Sequence, residues 1–257
     1  MEFSVRTCVW IYNLLVFLAC LLGRTLTLNL DGSPGSYVLY PPWEPCLNGS
    51  FAFEFKTVEQ HSLLLYLNRG QYFFFEVRLF KGRIGLRVNM GEGTMFIRAG
   101  EFLNDGKWHT VEVRQDGGVT FLKVDGVEHN KQFPGVLQNY VPLSSNDTFL
   151  FIGGLPMEYE SKKFKSLALP SVIFEPKFRG SIRNFFYRNC GGEPTRPTPL
   201  ESSGILSKDI DLCEKGSPCL NGGRCLTTDN GIFCDCASTE YKGDRCDLRE
   251  LCLVYSS

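Results

Sequence analysis

Ser50–Lys56 reads SFAFEFK, with Phe51, Phe53 and Phe55 on one side of an extended chain and Ala52, Glu54 and Lys56 on the other. A period of two is what an antiparallel strand with one face on a core produces. The same texture continues outward. Leu63–Leu67, Phe73–Phe80 and Ile84–Val88 read as strands, with Asn68-Arg69-Gly70 and Lys81-Gly82-Arg83 as turns between them. Trp108–Arg114 and Val119–Val124 flank Gln115-Asp-Gly-Gly118, a hairpin signal because Asp-Gly and Gly-Gly tolerate positive φ. Asp125-Gly126 makes the next turn, Thr148–Ile152 a further strand ending at Gly153-Gly154, and Phe178–Arg188 the last. No helical period persists. So many short strands without a repeated unit predict an all-β domain of two packed antiparallel sheets, not a propeller.

The chain of 257 residues has room for this domain and one small one. Its net charge of −1 argues against nucleic acid or a strongly anionic membrane as the main partner. Met1–Arg6 carries one basic residue, Cys8–Leu22 is apolar apart from Asn13, and small or polar residues return at Gly23–Thr25. That layout predicts a secretory signal peptide over 1–24; the run is short of the roughly 20 residues that span a bilayer. Export makes the nine remaining cysteines read as disulfide formers, and two sequons, at Asn48 and Asn146, suit the same compartment.

Six of those cysteines, Cys213, Cys219, Cys225, Cys234, Cys236 and Cys246, leave gaps of five, five, eight, one and nine residues. Gly222-Gly223 precedes the third, and Tyr241 and Gly243 lie between the last two. So short a segment cannot bury enough surface to hold itself together, and disulfides supply the difference. A zinc site fits poorly, because the pair at 234 and 236 is too closely spaced and the compartment oxidises thiols. Spacing alone leaves all the pairings of six cysteines open. Between this segment and the large domain, residues 191–211 carry Pro194, Pro197 and Pro199 with Ser202, Ser203 and Gly204, and read as a linker.

The cysteine segment, over 212–247, resembles an EGF-like domain. That resemblance implies the pairs Cys213–Cys225, Cys219–Cys234 and Cys236–Cys246. Three stretches of the large domain, over 25–190, resemble laminin G (LNS) domains: Leu103-Asn-Asp-Gly-Lys-Trp-His109 running on to Val124-Asp-Gly126, Leu150-Phe-Ile-Gly-Gly-Leu-Pro156, and Phe178-Arg-Gly-Ser-Ile-Arg-Asn184. The implied fold is a laminin-G-type antiparallel β-sandwich (jelly roll). An LNS domain followed by an EGF-like domain resembles the amino-terminal repeat of neurexins. The first and last strands of such folds run close together, so a Cys46–Cys190 bridge is expected. Trp108 is expected in the inter-sheet core.

The resemblance implies a non-catalytic adhesion module that binds cell-surface or extracellular-matrix proteins through a loop rim, with Asn68–Tyr72, Asn89–Thr94 and Asn146–Thr148 as its candidates. The alternative is a secreted lectin-like or matrix protein that binds glycan, with heparan sulfate contacting Lys162, Lys163 and Lys165. A glycosidase would need two carboxylates across one cleft; Glu54, Glu76 and Glu112 lie on strands at positions that read as outward. His109 has no nucleophile elbow or free cysteine beside it, and Gly153-Gly154 opens no helix that would cradle phosphate. Many LNS domains hold calcium with an Asp just before the strand that begins here near Phe73. Tyr72 and Phe73 cannot serve, and Asn146 and Asp147 are one partial match. In the EGF-like segment Asp209-Ile-Asp211 resembles a calcium lead-in, but Leu212 and Thr227 replace expected ligands. No cofactor is expected, and calcium binding is weak at most. Residues 248–257 form a short tail without an anchor pattern, in which Cys252 is odd. The mature chain is expected to be secreted, with no membrane insertion.

Overall fold

The computed structural model describes residues 27–70, 72–91, 93–132, 148–161, 163–206, 213, 216–228 and 231–249. The expected leader, Asn146, Asp147, Lys162, Asp209–Leu212 and Cys252 lie outside the described residues.

Two antiparallel sheets face each other. One has six strands in the order β1 (Thr27–Asp31), β12 (Arg179–Arg188), β3 (Ser50–Lys56), β8 (His109–Asp116), β9 (Val119–Val124) and β10 (Val127–Gln132). The other has seven, in the order β13 (Glu201–Ser203), β2 (Tyr37–Tyr40), β11 (Thr148–Ile152), β4 (His61–Arg69), β5 (Phe73–Phe80), β6 (Arg83–Asn89) and β7 (Thr94–Ala99). The phenyl stripe of β3 behaves as its alternation predicts: Phe51, Phe53 and Phe55 are buried and the residues between them half-buried. Across from them stand Phe75, Val77 and Leu79 of β5 and Leu86 and Val88 of β6.

The tryptophan of this core is Trp43, not Trp108. Trp43 is fully buried, its ring 4.9 Å from Phe51 and 5.0 Å from Phe75, and its indole N–H donates to the Arg188 carbonyl at 3.0 Å. Trp108 immediately precedes β8 and is half-buried on the outer face. There the Arg183 guanidinium lies 3.9 Å from its ring centroid and the Lys56 ammonium 5.3 Å. A cation over an indole suits a surface that keeps the charge wet. The Gly153-Gly154 pair has a packing reason: a Cβ on Gly154 would lie 2.2 Å from the Ser36 carbonyl oxygen.

The seven-stranded sheet is buried on both faces at its centre. Leu63, Tyr66, Phe74, Phe149 and Phe151 form a second apolar cluster on its outer side, roofed by Leu155, Tyr159, Leu167 and Val172. The roof is one segment with a helical turn at Glu158–Ser161 and 3₁₀ turns at Phe164–Ser166 and Pro170–Phe174.

The segment read as a linker is fastened to the sandwich through its described part. Thr195 bridges to Tyr187, β13 pairs with β2, and Ile205 bridges to Leu30. Arg179–Arg188 is therefore not the last sandwich strand; Glu201–Ser203 escapes a hydrophobic pattern because three edge residues contribute backbone, not apolar side chains. The cysteine-rich segment forms hairpins β14 (Arg224–Thr228) with β15 (Gly231–Asp235) and β16 (Tyr241–Lys242) with β17 (Leu248–Arg249). Its bridges are Cys213–Cys225, Cys219–Cys234 and Cys236–Cys246, and Cys46–Cys190 joins the ends of the sandwich. The small domain docks through Asp235, nearly buried, whose carboxylate takes both terminal nitrogens of Arg179, one at 3.2 Å.

Two outcomes follow for stability and docking. Replacing Cys46 and Cys190 together by Ala opens a loop of 144 residues. Denaturant titration should show a loss of about 4–5 kcal/mol, less any native strain; unchanged stability would mean the bridge is not formed in solution. Asp235→Asn should weaken docking by about 2–5 kcal/mol, because Arg179 keeps its charge in a half-dry contact. Small-angle scattering should then report a larger radius of gyration, and an unchanged one would show that the pair does not hold the domains together.

Candidate functional site

Strand register brings the expected rim loops to one end of the seven-stranded sheet. Thr148 pairs with Arg69, Arg69 with Phe73, Phe74 with Asn89, and Asn89 with Thr94. Positions 68–70, 72, 89–91, 93, 94 and 148 therefore meet at the end remote from Arg179, where the small domain docks. Tyr72 is 64% exposed there, and Thr94 is also exposed. Gly91 and Gly93 hold φ of +104° and +110°, with open space where a Cβ would stand. Asn89 fixes the loop by accepting the Gly91 N–H at 2.8 Å. Gly91 and Gly93 therefore leave open space close to an exposed phenol ring, and a partner's backbone can come near at those two positions.

Asn68, expected on the rim, has another task. It is fully buried, and its side-chain oxygen accepts the Tyr66 hydroxyl at 2.9 Å and the Ala168 N–H at 2.7 Å. Its amide donates to the Ser166 carbonyl at 3.2 Å, and the Tyr66 hydroxyl accepts the Leu169 N–H at 3.2 Å. The pair thus clamps the roof to β4. Burial pushes the Tyr66 hydroxyl far up, so it stays a donor at any physiological pH.

The basic cluster lies on the same roof. Lys163 pairs with Glu158 at 2.7 Å, and that hydrogen bond raises its pKa; Lys165 is exposed. Lys162 is outside the described residues. Asn48 is exposed beside the Cys46–Cys190 bridge, where the absence of a Cβ on Gly191 leaves it room.

The three strand carboxylates do not share one environment. Glu76, expected outward, is fully buried, because the roof covers its face of the sheet. It is gripped by Arg87, with Arg78 4.0 Å away and Glu175 bonded to both arginines. Burial pushes the Glu76 carboxyl up, and Glu76 in turn holds Arg87 firmly protonated. Glu54 and Glu112 do border one shallow depression on the outer face of the six-stranded sheet. Burial acts to raise the Glu54 carboxyl, but hydrogen bonds from Asn184 at 2.6 Å and Arg183 at 2.7 Å leave it lowered. That is the opposite of a glycosidase acid. His109 begins β8 as a nearly buried strand residue, with Nδ1 2.7 Å from Asp125 and Nε2 3.0 Å from Asp105. Lys107 foremost, with His109, holds the Asp105 carboxyl far below its usual range. Both ring nitrogens are committed to joining two turns. Among the described residues no three His, Cys, Asp or Glu side chains gather where they could hold a metal.

Reading the sequence missed two elements of this site, the roof and the Arg179–Asp235 contact. The roof had a signal: the apolar runs of β4, β5 and β11 do not alternate, so both faces needed cover. The Arg179 contact had none, since its partner lies 56 residues away in another domain.

A family model described as the laminin G domain matches residues 55–189, and one described as the EGF-like domain matches residues 213–245. Neurexin 1 of Drosophila melanogaster is 39% identical over 246 residues, covering 85% of this chain and 13% of its own length. Neurexin-2 of Homo sapiens is 31% identical over 236 residues, covering 90% of this chain and again 13% of its own length. The chain thus spans about an eighth of these relatives. Domains LG4-5 of the mouse laminin alpha1 chain share the fold with a TM-score of 0.52 at 20% identity, over 70% of this chain and 45% of that one. A laminin G sandwich followed by an EGF-like domain, in a sequence matched to neurexins over most of its length, places this chain in the laminin G domain family as a neurexin-like member.

Proposed function

We propose that this chain is a non-catalytic extracellular adhesion module, and that the rim around Tyr72 contacts a protein on a cell surface or in the matrix. The observation that carries this reading is the joint match of both domains, in order, to neurexins. The geometry agrees with it. The rim lies at the sandwich end opposite the EGF-like domain, so a partner meets it without displacing that domain. The strand carboxylates are committed to arginine or lie on an open face, which suits a binding scaffold better than a hydrolase. The four bridges suit an oxidising compartment, and among the described residues no helix is long and apolar enough to cross a membrane.

The test is adhesion of beads carrying the chain to intact cells. Tyr72→Ala removes an exposed aromatic that supports nothing in the core, so the melting temperature should hold while adhesion falls. Truncating an anchoring aromatic costs about 2 kcal/mol or more, near thirtyfold in affinity. Undiminished adhesion would remove the rim from the reading. Adhesion that survives Tyr72→Ala but disappears after the cells are treated with heparinase would favour the glycan reading.

We also propose that the module works without a tightly held calcium ion. Tyr72 and Phe73 offer no carboxylate where β5 begins, and calcium held with little carboxylate charge is weakly bound. Calorimetry should show no micromolar calcium site, and adhesion should persist in a chelator. A micromolar site would overturn this.

A further inference from the structure

On one flank of the sandwich a stretch of chain crosses from sheet to sheet. Thr195 bridges to Tyr187 of β12, and the Leu200 N–H donates to the Leu39 carbonyl of β2 at 2.9 Å. Arg196-Pro197-Thr198-Pro199 spans the gap between those two anchors. Its prolines have no N–H to add to either sheet, and their fixed φ stiffens the strap. Tied at both ends, so stiff a strap cannot settle onto the core. A recess of about 210 Å³ remains, lined by Leu28, Ile182 and Phe185 of the core and by Pro197 and Pro199 of the strap. None of its walls belongs to the rim or the roof.

Two polar groups on this lining lack a partner among the described residues. Tyr40, the last residue of β2, lines the recess with only 3% of its surface exposed, and its hydroxyl has no hydrogen bond there. Burial pushes that hydroxyl up to about 12, so it remains a donor at neutral pH. The second is Asn184. Strand β12 shifts register between Arg183 and Phe186, and within that bulge Asn184 has φ +54°. A bulge re-aims a side chain, and Asn adopts this conformation more readily than most residues. The Asn184 amide nitrogen donates to Glu54 at 2.6 Å, which leaves Oδ1 a buried acceptor with no donor. Buried polar groups in native proteins are nearly all hydrogen-bonded, so two such groups on one recess point to a ligand that completes them.

Water alone suits this lining poorly. An enclosed water takes up about 30 Å³ and needs roughly two to four polar partners, more than two unpartnered groups supply to the several waters that would fill the recess. An apolar ring suits it better, since a protein cavity of about 150 Å³ lined by Leu, Ile and Phe takes up benzene. A hydroxyl donates and accepts at one atom, so it can give its proton to Asn184 Oδ1 and accept that of Tyr40. We propose that the recess binds a small aromatic alcohol, with its ring against Leu28, Ile182, Phe185 and the strap prolines and its hydroxyl shared between Tyr40 and Asn184. Of the two arginines on the lining, Arg183 is held by Glu54 and Arg196 is exposed to water, so neither requires an anion. A carboxylate would also set a bare oxygen against Asn184 Oδ1, leaving that acceptor without a donor.

The experiment titrates the full chain by ligand-detected NMR with para-cresol and with toluene, which has the same ring and methyl group but no hydroxyl. Para-cresol should bind the more tightly. Tyr40→Phe removes only the hydroxyl. Its thermal melt should be no lower than the parent's, since that group has no partner in the fold. It should weaken para-cresol about threefold to tenfold, the loss of one neutral hydrogen bond, and leave toluene unchanged. Thr198→Trp, at an exposed strap position on the lining, should block both probes. Absence of saturable para-cresol binding, or toluene binding as tightly, would overturn the proposal. So would parental para-cresol affinity in either variant, which would place the probe elsewhere. Tighter binding of para-toluate than of para-cresol would also overturn it, in favour of an anion.

Discussion

The seven-stranded sheet is apolar on both faces at its centre, and the rest of the large domain is arranged to cover them. Its inner face meets the phenyl stripe of β3 and the buried Trp43; its outer face meets the roof. Apolar area of this kind cannot be left in water without forfeiting roughly 25 cal/mol for each Å² exposed. A single sandwich partner serves only one face. The second must be covered by chain that forms no strand, which explains why the segment after β11 leaves the sheet for short turns before returning as β12.

Covering that face buried polar groups that would otherwise be wet. Glu76 and Asn68 are both fully enclosed; the roof satisfies Asn68, and Arg87 of β6 satisfies Glu76. Asn68 exchanges hydrogen bonds with the backbone of the roof. Glu76 binds Arg87, which reaches Glu175 at the roof's end. A buried carboxylate of this kind contributes little net stability beside an apolar replacement, yet losing its partner is costly. Their effect here is to fix where the roof lies.

The two ends of the sandwich are thereby differentiated. At one end the loops carry glycines and an exposed tyrosine, with Asn89 holding the Gly91 N–H. At the other, Arg179 receives Asp235 and the fastened linker brings the EGF-like domain against β12. The arginine of the Phe178-Arg-Gly-Ser stretch, which reads as a strand residue of the sandwich, is thus the residue that orients its neighbour.

Much of this was legible in the sequence. The period of two in Ser50–Lys56, the Asp-Gly turns and the cysteine spacing determined two sheets and a small disulfide domain, because strand pleat and turn φ are local properties of the chain. The rim was legible as a set of loops, since residues between strands of known register must fall at strand ends. Which loop residues would face outward was not. Asn68 and Glu76 look like surface residues in sequence because the element that buries them lies about a hundred residues away, and burial is a property of neighbours. Trp108 looked like core for the converse reason: its size is local, but the arginine that covers it arrives from β12. Composition and pattern decided what could form. Only tertiary packing decided which polar groups lost their water, because desolvation depends on what lies opposite a side chain and not on what precedes it.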